Sequence, residues 1–329
     1  ALAACCLGAA APPDPASAAP GAEQRALVDR AKRLLEEAPL IDTHNDLPYM
    51  IVEELGGDAG AFDFDRRQPA FSADAPRMRE GGVGAQYWSV YTAAGRDRDG
   101  TALREGLRVA DIALQLIAAS DTLEQARTAD EIVAIRARGK IASLLGLEGG
   151  HMIAGSLGAL RAYYDLGVRY MTLTHSDTLS WADASTDRAQ HGGLTEFGEE
   201  VVREMNRLGM FVDISHVSPD AMRDALRVSV APVIFSHSNA SAISPHARNA
   251  PDDVLALLKN NGGVIHINFI WAFVTPKHVA HEAERSRVRE ALHAALDDEG
   301  KISEQLSAWD KKNPPPEATI EDVAAHTDH

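Results

Sequence analysis

Short apolar runs alternate with amphipathic stretches along most of the chain. The runs are six to eight residues long and rich in β-branched or aromatic residues, which predicts β-strands. The stretches between them repeat their apolar residues at helical spacing. The predicted strands cover residues 39–46, 85–91, 141–148, 168–175, 210–216, 232–237 and 263–269. The predicted helices include residues 102–119, 131–138, 196–208, 219–227 and 251–260.

Apolar strands that alternate with helices are typical of parallel β/α units. The pattern therefore predicts an α/β fold, a (β/α)8 barrel of the TIM type from which the eighth strand is missing. A doubly wound open sheet is the alternative. No GxGxxG motif or P-loop follows the first strand, and polar residues stand at the carboxyl ends of many strands, which favours the barrel. Residues 23–329 are predicted as one barrel domain, truncated at its C-terminal end, with longer excursions at 57–80 and 277–316.

Composition and charge exclude several classes of protein. The 329 residues carry 32 Lys and Arg against 48 Asp and Glu, a formal net charge of −16 that disfavours nucleic acid as a partner. The two cysteines, Cys5 and Cys6, are adjacent, so neither a disulfide scaffold nor a thiolate metal site is expected. Any metal must then be held by carboxylates and by some of the 13 histidines.

Residues 1–22 consist almost entirely of Ala, Pro, Gly and Ser, which predicts a flexible leader outside the folded domain. Leu2-Ala3-Ala4-Cys5 resembles a bacterial lipobox, in which Cys5 would carry a lipid anchor. Another export-signal remnant and a plain low-complexity leader are the alternatives. We expect an exported protein of the bacterial envelope, either periplasmic or anchored as a lipoprotein.

Histidines and carboxylates recur at the ends of four predicted strands. His44 and Asp46 are two apart, so a strand would direct both side chains to one face. Glu148 follows a mainly apolar run, where a carboxylate is costly unless it is paired or binds a metal. His216 and His237 each follow an apolar run and a serine. Each residue alone could be a cap, a core histidine or half of an ion pair, but together they predict one metal site at the barrel mouth.

Five nitrogen and oxygen ligands suit two divalent cations, most simply Zn²⁺. Glu148 is the one candidate left to bridge two cations, with His44 and Asp46 completing one site and His216 and His237 the other. Zinc lowers the pKa of a bound water towards about 7, so a bridging hydroxide nucleophile becomes available at neutral pH. The expected chemistry is hydrolysis.

Several longer blocks resemble the membrane (renal-type) dipeptidase family, the M19 metallopeptidases. In chain order they are IDTHNDLP, GAQYWSVY, LLGLEGGH, MTLTHS with SWAD, LGMFVDISHVS, APVIFSHSNA and ARNAPDD, between about residues 40 and 269. The resemblance implies a (β/α)8 barrel with two zinc ions per chain. It also implies hydrolysis of dipeptides, often with tolerance for a D-residue at the C-terminal position. Dipeptide substrates are the expected partners, and a homodimer is kept open.

The resemblance also assigns roles beyond the five ligands. Glu148, as the bridging ligand, and His175, from MTLTHS, match residues of the catalytic site, and His175 would contact the substrate and its developing oxyanion. Arg248, from ARNAPDD, matches the arginine that binds the substrate carboxylate; a surface ion pair with Asp252 or Asp253 is the alternative. Tyr49 and Tyr91 are further candidate substrate-binding residues.

Two departures from the family pattern leave other functions open. Asn268-Phe269-Ile270 stands where many members have NFY, and no glycine-flanked Asp motif of the GSDFDG kind occurs. Truncation of the sequence is the favoured explanation for the missing Asp motif. One alternative is another metal-dependent barrel hydrolase acting on a lactam, amide or phosphoester. That class commonly begins with an HxH motif and often uses a carbamylated lysine as the bridging ligand. The HxD motif of His44 and Asp46, with Glu148 as the bridging candidate, disfavours it. The other is a non-catalytic envelope binding protein.

Overall fold

The computed structural model of the chain describes residues 21–329, so most of the predicted leader and its Cys5 lie outside the described residues. The chain divides into two compact units, the first ending at Arg169 and the second comprising Tyr170–His329. Across residues 21–329, no helix combines the length and the apolar character that crossing a membrane requires.

The first unit contains four parallel strands. They are β1 (Leu40–Asn45), β2 (Val83–Tyr91), β3 (Leu123–Gln125) and β4 (Ile141–Glu148). β2 pairs with β1 and with β4, while the short β3 pairs with the first residues of β4. The register sets Tyr91 opposite Glu148, so β2 and β4 end level with each other.

Seven α-helices accompany these strands. They are α1 (Ala22–Glu37), α2 (Leu47–Leu55), α3 (Ala75–Glu80), α4 (Gly95–Arg98), α5 (Ala102–Ala119), α6 (Ala129–Ala137) and α7 (Leu157–Leu166). Short 3-10 helices cover Ala59–Ala61 and Gly150–Ile153. All eight residues of β4 are buried, and the fully buried Trp88 of β2 packs edge-on against Phe64. This core holds the carboxyl end of β4, and with it Glu148, in a fixed position.

The second unit continues the parallel series. The division between the units falls within β5 (Val168–Thr172), which is followed by β6 (Phe211–Asp213), β7 (Ile234–Phe235) and β8 (Val264–Ile265). Each of these strands pairs in parallel with the next. The helices are α8 (Glu196–Leu208), α9 (Pro219–Val228), α10 (Asp252–Asn261), α11 (Trp271–Val274), α12 (Pro276–Ala295), α13 (Glu299–Lys312) and α14 (Ile320–Asp328).

All seven predicted strands are present, and their parallel βα order confirms the α/β fold of the TIM-barrel type. β3 was not predicted; it lies beside the start of β4 rather than extending the series. Within residues 21–329 no strand follows β8, and the chain continues there through helices α11 to α14. The fold is thus a TIM-type barrel in which part of the strand series is missing.

Strands β5 to β8 are shorter than predicted, and at β6 and β7 a side chain takes over backbone hydrogen bonds at the carboxyl end. At the end of β6, the Asp213 carboxylate accepts the backbone N–H groups of Ser215 and Ser236, which replaces strand pairing at these positions. His216 then adopts φ +69°, a conformation uncommon for a residue other than glycine and typical of functional sites. The predicted ligands His216 and His237 therefore lie just beyond the strands.

Candidate active site

His44 and Asp46 of the first unit lie together where β1 gives way to α2. β1 ends at Asn45, and Asp46 is the N-cap of α2, whose start is fixed by Pro48. The prediction that one strand would carry both residues is therefore wrong, because the helix begins earlier. The side chains still meet, with His44 Nε2 3.4 Å from Asp46 Oδ1.

Glu148 is the last residue of β4 and is buried, with 4% of its surface exposed. Its Oε1 lies 3.5 Å from His44 Nε2, and its Oε2 accepts a hydrogen bond of 3.3 Å from the Ser89 hydroxyl on β2. Gly149 follows with φ +119°, which a side chain would disfavour and which lets the chain turn sharply after the carboxylate. His44, Asp46 and Glu148 form what we term the acidic ligand set.

The second unit brings together three of its predicted site histidines. His216 Nε2 lies 2.9 Å from His237 Nε2, and the ring of His175 stacks on that of His216 with centroids 4.3 Å apart. Ring nitrogens of His175 and His216 lie within 4.8 Å of each other. We term His175, His216 and His237 the histidine set.

Two further residues of the second unit, Asp213 and Ser236, are linked to His237 by hydrogen bonds. They were not identified as site residues from the sequence. Ser236 Oγ lies 2.8 Å from His237 Nδ1 and donates a hydrogen bond of 2.6 Å to Asp213 Oδ2. Asp213 is fully buried, and Ser236 is 2% exposed. A signal existed, because an aspartate in the otherwise apolar end of β6 is costly unless something uses its charge.

The spacing of the donor atoms can be compared with that needed by zinc. Ligands 2.0–2.2 Å from a tetrahedral ion are separated from each other by roughly 3.3–3.6 Å. Within the acidic ligand set, His44 Nε2 lies at this spacing from both carboxylates, 3.4 Å from Asp46 Oδ1 and 3.5 Å from Glu148 Oε1. The two Nε2 atoms of His216 and His237, at 2.9 Å, would have to separate by about 0.4 Å. Imidazole and carboxylate donors are those that zinc prefers, so the residues present fit this metal.

Arg248 lies in the loop between β7 and α10 and is 3% exposed. Its guanidinium donates to Ser238 Oγ and to the His237 carbonyl, each at 3.4 Å, and lies over the Phe273 ring. The predicted alternative, a surface ion pair, is not observed: Asp253 pairs with Arg223 at 2.8 Å, and Asp252 pairs with His329 at 2.9 Å. Arg248 is instead a buried cation beside a predicted metal ligand.

Tyr49 and Tyr91 pack against each other in the first unit, with ring centroids 4.9 Å apart in an edge-to-face arrangement. Tyr49 belongs to α2, three residues after Asp46, and Tyr91 pairs in register with Glu148. Burial raises the pKa of the Tyr49 hydroxyl, and the Glu53 carboxylate raises it further. The Tyr49 hydroxyl therefore stays protonated at neutral pH, next to the acidic ligand set.

Parallel β/α units with histidine and carboxylate ligands at the strand ends define the class of metal-dependent barrel hydrolases. Within that class, the chain belongs to the membrane dipeptidase family, peptidase family M19, whose model matches residues 28–329. The family assignment made from the sequence blocks is thus confirmed.

Solved structures of this family share the fold. The chain is 25% identical to a metallopeptidase from Rhodobacter sphaeroides liganded with a phosphinate mimic of the dipeptide L-Ala-D-Ala; the match covers 72% of this chain and 76% of that one, with a TM-score of 0.65. A dipeptidase AC of family M19 is 26% identical over 72% and 74% of the two chains, with a TM-score of 0.64. The probable dipeptidase PvdM from Pseudomonas aeruginosa, 18% identical over 92% and 82%, has a TM-score of 0.79 and supports the fold alone.

Proposed function

We propose that the protein is a zinc-dependent dipeptidase that hydrolyses the peptide bond of dipeptides, including dipeptides with a C-terminal D-residue. The observation that carries the proposal is the position of His44 Nε2, 3.4 Å from the Asp46 carboxylate and 3.5 Å from the Glu148 carboxylate, in a chain that belongs to the M19 family. The Rhodobacter sphaeroides relative, liganded with a mimic of L-Ala-D-Ala, supports the dipeptide substrate and the D-residue.

The five ligands would hold two zinc ions per chain. His44 and Asp46 would complete one site, His216 and His237 the other, and Glu148 would bridge the two ions. When bound, the ions would activate a water as the nucleophile and polarise the scissile carbonyl. Glu148 suits the bridging role because it is buried, and the hydrogen bond that it accepts from the Ser89 hydroxyl keeps the carboxylate oriented.

His175 would act on the substrate rather than on the metal. Its Nδ1 lies 3.2 Å from the Ser176 hydroxyl, and when this hydroxyl donates to Nδ1 the ring hydrogen is on Nε2. From its position on the face of His216, Nε2–H can donate to the oxygen that gains negative charge in the transition state. Tyr49 and Tyr91 would contact the substrate on the side of the acidic ligand set.

Arg248 would bind the C-terminal carboxylate of the dipeptide. A planar guanidinium donates two parallel hydrogen bonds to a carboxylate, and burial strengthens the interaction. Its hydrogen bonds to Ser238 and the His237 carbonyl are long, so a carboxylate can compete for the same donors. Because Arg248 contacts the backbone of His237, it would hold the substrate carboxylate close to the metal.

Hydrolysis of dipeptides by the zinc-loaded protein tests the proposal, with matched L,L and L,D substrates. Arg248→Ala should lower kcat/KM by about 30- to 1,000-fold, since loss of a charge-assisted pair costs about 2–4 kcal/mol. The zinc content should not change. Arg248→Lys should recover only part of the activity, because an ammonium cannot make both hydrogen bonds.

Arg223→Ala is the matched control, because Arg223 is an exposed arginine of the same unit that pairs with Asp220 and Asp253. It should retain normal kcat/KM. A C-terminally amidated dipeptide should be a poor substrate for the unaltered enzyme and should lose little further with Arg248→Ala. Equal losses on free and amidated dipeptides would contradict the role of Arg248. Absence of turnover on every dipeptide by zinc-loaded protein would contradict the proposed function itself.

A further inference from the structure

The buried carboxylate of Asp213 accepts four hydrogen bonds. Oδ1 accepts from the backbone N–H groups of Ser215, at 3.1 Å, and of Ser236, at 2.8 Å. Oδ2 accepts from the hydroxyls of Thr172 and Ser236, the latter at 2.6 Å. Four converging donors compensate the cost of burying a negative charge. The hydroxyl hydrogen of Ser236 is therefore used by Asp213.

The geometry then determines which nitrogen of His237 carries the hydrogen. A serine has a single O–H to donate, so Ser236 Oγ can only accept from His237 Nδ1, 2.8 Å away. His237 is thus protonated on Nδ1 and has its lone pair on Nε2. The opposite tautomer would leave Ser236 Oγ and Asp213 Oδ2 only 2.6 Å apart with no hydrogen between them.

We propose that Asp213 and Ser236 are positioning residues of the metal centre. Through the hydrogen-bond chain Asp213–Ser236–His237 they fix the tautomer and orientation of His237, so that Nε2 is presented to zinc. The inference rests on the proposed function, because it takes His237 to be a zinc ligand. Carboxylates that act on a metal-binding histidine through a second group are a recognised means of tuning metal affinity.

A purely structural role would explain only part of the arrangement. Of the two backbone N–H groups on Oδ1, that of Ser215 holds the turn after β6 and that of Ser236 joins β6 to β7, and both would serve stability alone. The second branch, from Oδ2 through the Ser236 hydroxyl, leads to the ring of His237. Removal of the Ser236 hydroxyl therefore separates the two roles, because it leaves both backbone hydrogen bonds in place.

The first experiment measures zinc affinity directly, by competition of Zn²⁺ between the protein and a chromophoric chelator. Ser236→Ala should weaken zinc binding about 10- to 100-fold, the usual effect of losing such a partner. Asp213→Asn should weaken it at least as much. The Asn amide would donate to Ser236 Oγ, so the hydroxyl would turn to His237 Nδ1 and the hydrogen would move to Nε2, where the metal must bind.

The matched control is Ser143→Ala. Ser143 is a fully buried strand serine of the first unit, and its hydroxyl has no hydrogen-bond partner among the described residues. It should bind zinc like the unaltered protein. A second readout needs no metal: in ¹⁵N-histidine-labelled, zinc-free protein, the His237 resonances should report hydrogen on Nδ1. In Ser236→Ala that preference should be lost.

These measurements separate failure of the inference from failure of the proposed function. Hydrogen on Nε2 of His237 in the zinc-free unaltered protein would overturn the inference, as would equal zinc affinity of Ser236→Ala and Ser143→Ala. An unaltered protein that binds no zinc would contradict the proposed function, and the inference with it, even if the resonances showed the expected tautomer. Should Asp213→Asn fail to fold, Ser236→Ala still decides the question.

Discussion

His246 is an example of a single side chain that supports the candidate site from outside it. Its Nδ1 accepts a hydrogen bond of 3.1 Å from the backbone N–H of Arg248, and its ring packs against Phe273. Burial lowers the pKa of His246 from 6.5 to about 4, and the positive charges of Arg248 and His278 lower it further. His246 is therefore neutral at neutral pH and keeps the acceptor that holds the Arg248 backbone.

The depressed pKa of His246 predicts a loss of stability in mild acid. Between about pH 6.5 and 4 the unfolded chain takes up a proton at this position that the folded chain does not, so stability falls as the pH falls. The full pKa shift would lower the free energy of unfolding by about 2 kcal/mol between pH 7 and pH 5. Partial exposure of the His246 ring reduces this loss to about 1 kcal/mol. Urea unfolding at the two pH values measures the loss.

His246→Asn is the comparison, since its amide oxygen can still accept from the Arg248 N–H. The variant should lose about 1 kcal/mol less than the unaltered protein over the same pH interval. Carboxylates elsewhere titrate alike in both proteins and cancel from this difference. Identical losses in the two proteins would show that His246 does not contribute to the acid sensitivity.

The residues that could be predicted from the sequence are those whose side chains are conspicuous at strand ends. Glu148, His216 and His237 stand at the ends of mainly apolar runs, where a polar group is costly unless it is paired or binds a ligand, and His44 stands two residues before Asp46. Asp213 carries the same signal of a costly charge, but its action on Ser236 could not be predicted from the sequence. Their role depends on which hydroxyl reaches which carboxylate oxygen, and this is decided by loop geometry rather than by spacing along the chain.

At the scale of elements, α5 and α7 approach closely at a glycine. A Cβ added at Gly106 of α5 would lie 2.4 Å from the hydroxyl oxygen of Tyr163 and 2.8 Å from the sulfur of Met152. Both of these side chains are fully buried, and the Tyr163 hydroxyl is held by a 3.2 Å hydrogen bond to the Leu103 carbonyl. Neither neighbour can move without disturbing the core of the first unit.

Gly106→Ala should therefore destabilise the protein although alanine favours helices. The helix preference contributes about 1 kcal/mol in favour of the change, whereas overpacking of a core costs about 1–3 kcal/mol. A net loss of up to about 2 kcal/mol in urea unfolding is expected. Gly158→Ala, at an exposed position near the start of α7 where the nearest atom to an added Cβ is the Ser156 hydroxyl at 3.3 Å, should be neutral or stabilising. Equal effects of the two changes would contradict the steric argument.

Most elements could be predicted because their apolar residues recur with one clear period. α5 and α8 begin and end at the predicted residues, and β4 does the same. β3 was missed because three residues, Leu123–Gln125, are too few to establish a pattern. β6 and β7 end early because the Asp213 side chain takes over backbone hydrogen bonds there, and local sequence does not reveal such competition.

At the scale of the whole molecule, charge favours cations and is unfavourable to the carboxylate of the proposed substrate. The net charge of −16 attracts divalent metal ions, and its field is unfavourable to a carboxylate. Asp46 and Glu148 add negative charge close to the predicted ligand His44. Arg248 would then supply the local positive charge that a carboxylate requires, and its burial limits screening by salt.

Zinc should stabilise the folded protein, and the effect should depend on Glu148. Each site filled at 100 times its Kd adds about 2.7 kcal/mol, and 1 kcal/mol raises Tm by about 1.4 °C in a chain of this size. Two ions should thus raise Tm by roughly 8 °C relative to chelator-treated protein. Elemental analysis should find about two zinc ions per chain.

Glu148→Gln keeps the size of the side chain and removes the charge that the two cations would share. In zinc-free protein its Tm should equal or exceed that of the unaltered chain, because a buried carboxylate is replaced by a neutral amide that the Ser89 hydroxyl can still contact. In the presence of zinc the variant should lose most of the rise in Tm, most of the bound metal and nearly all hydrolysis. A general packing defect would instead lower Tm equally with and without zinc. Two tightly bound zinc ions in Glu148→Gln would show that Glu148 does not bridge them.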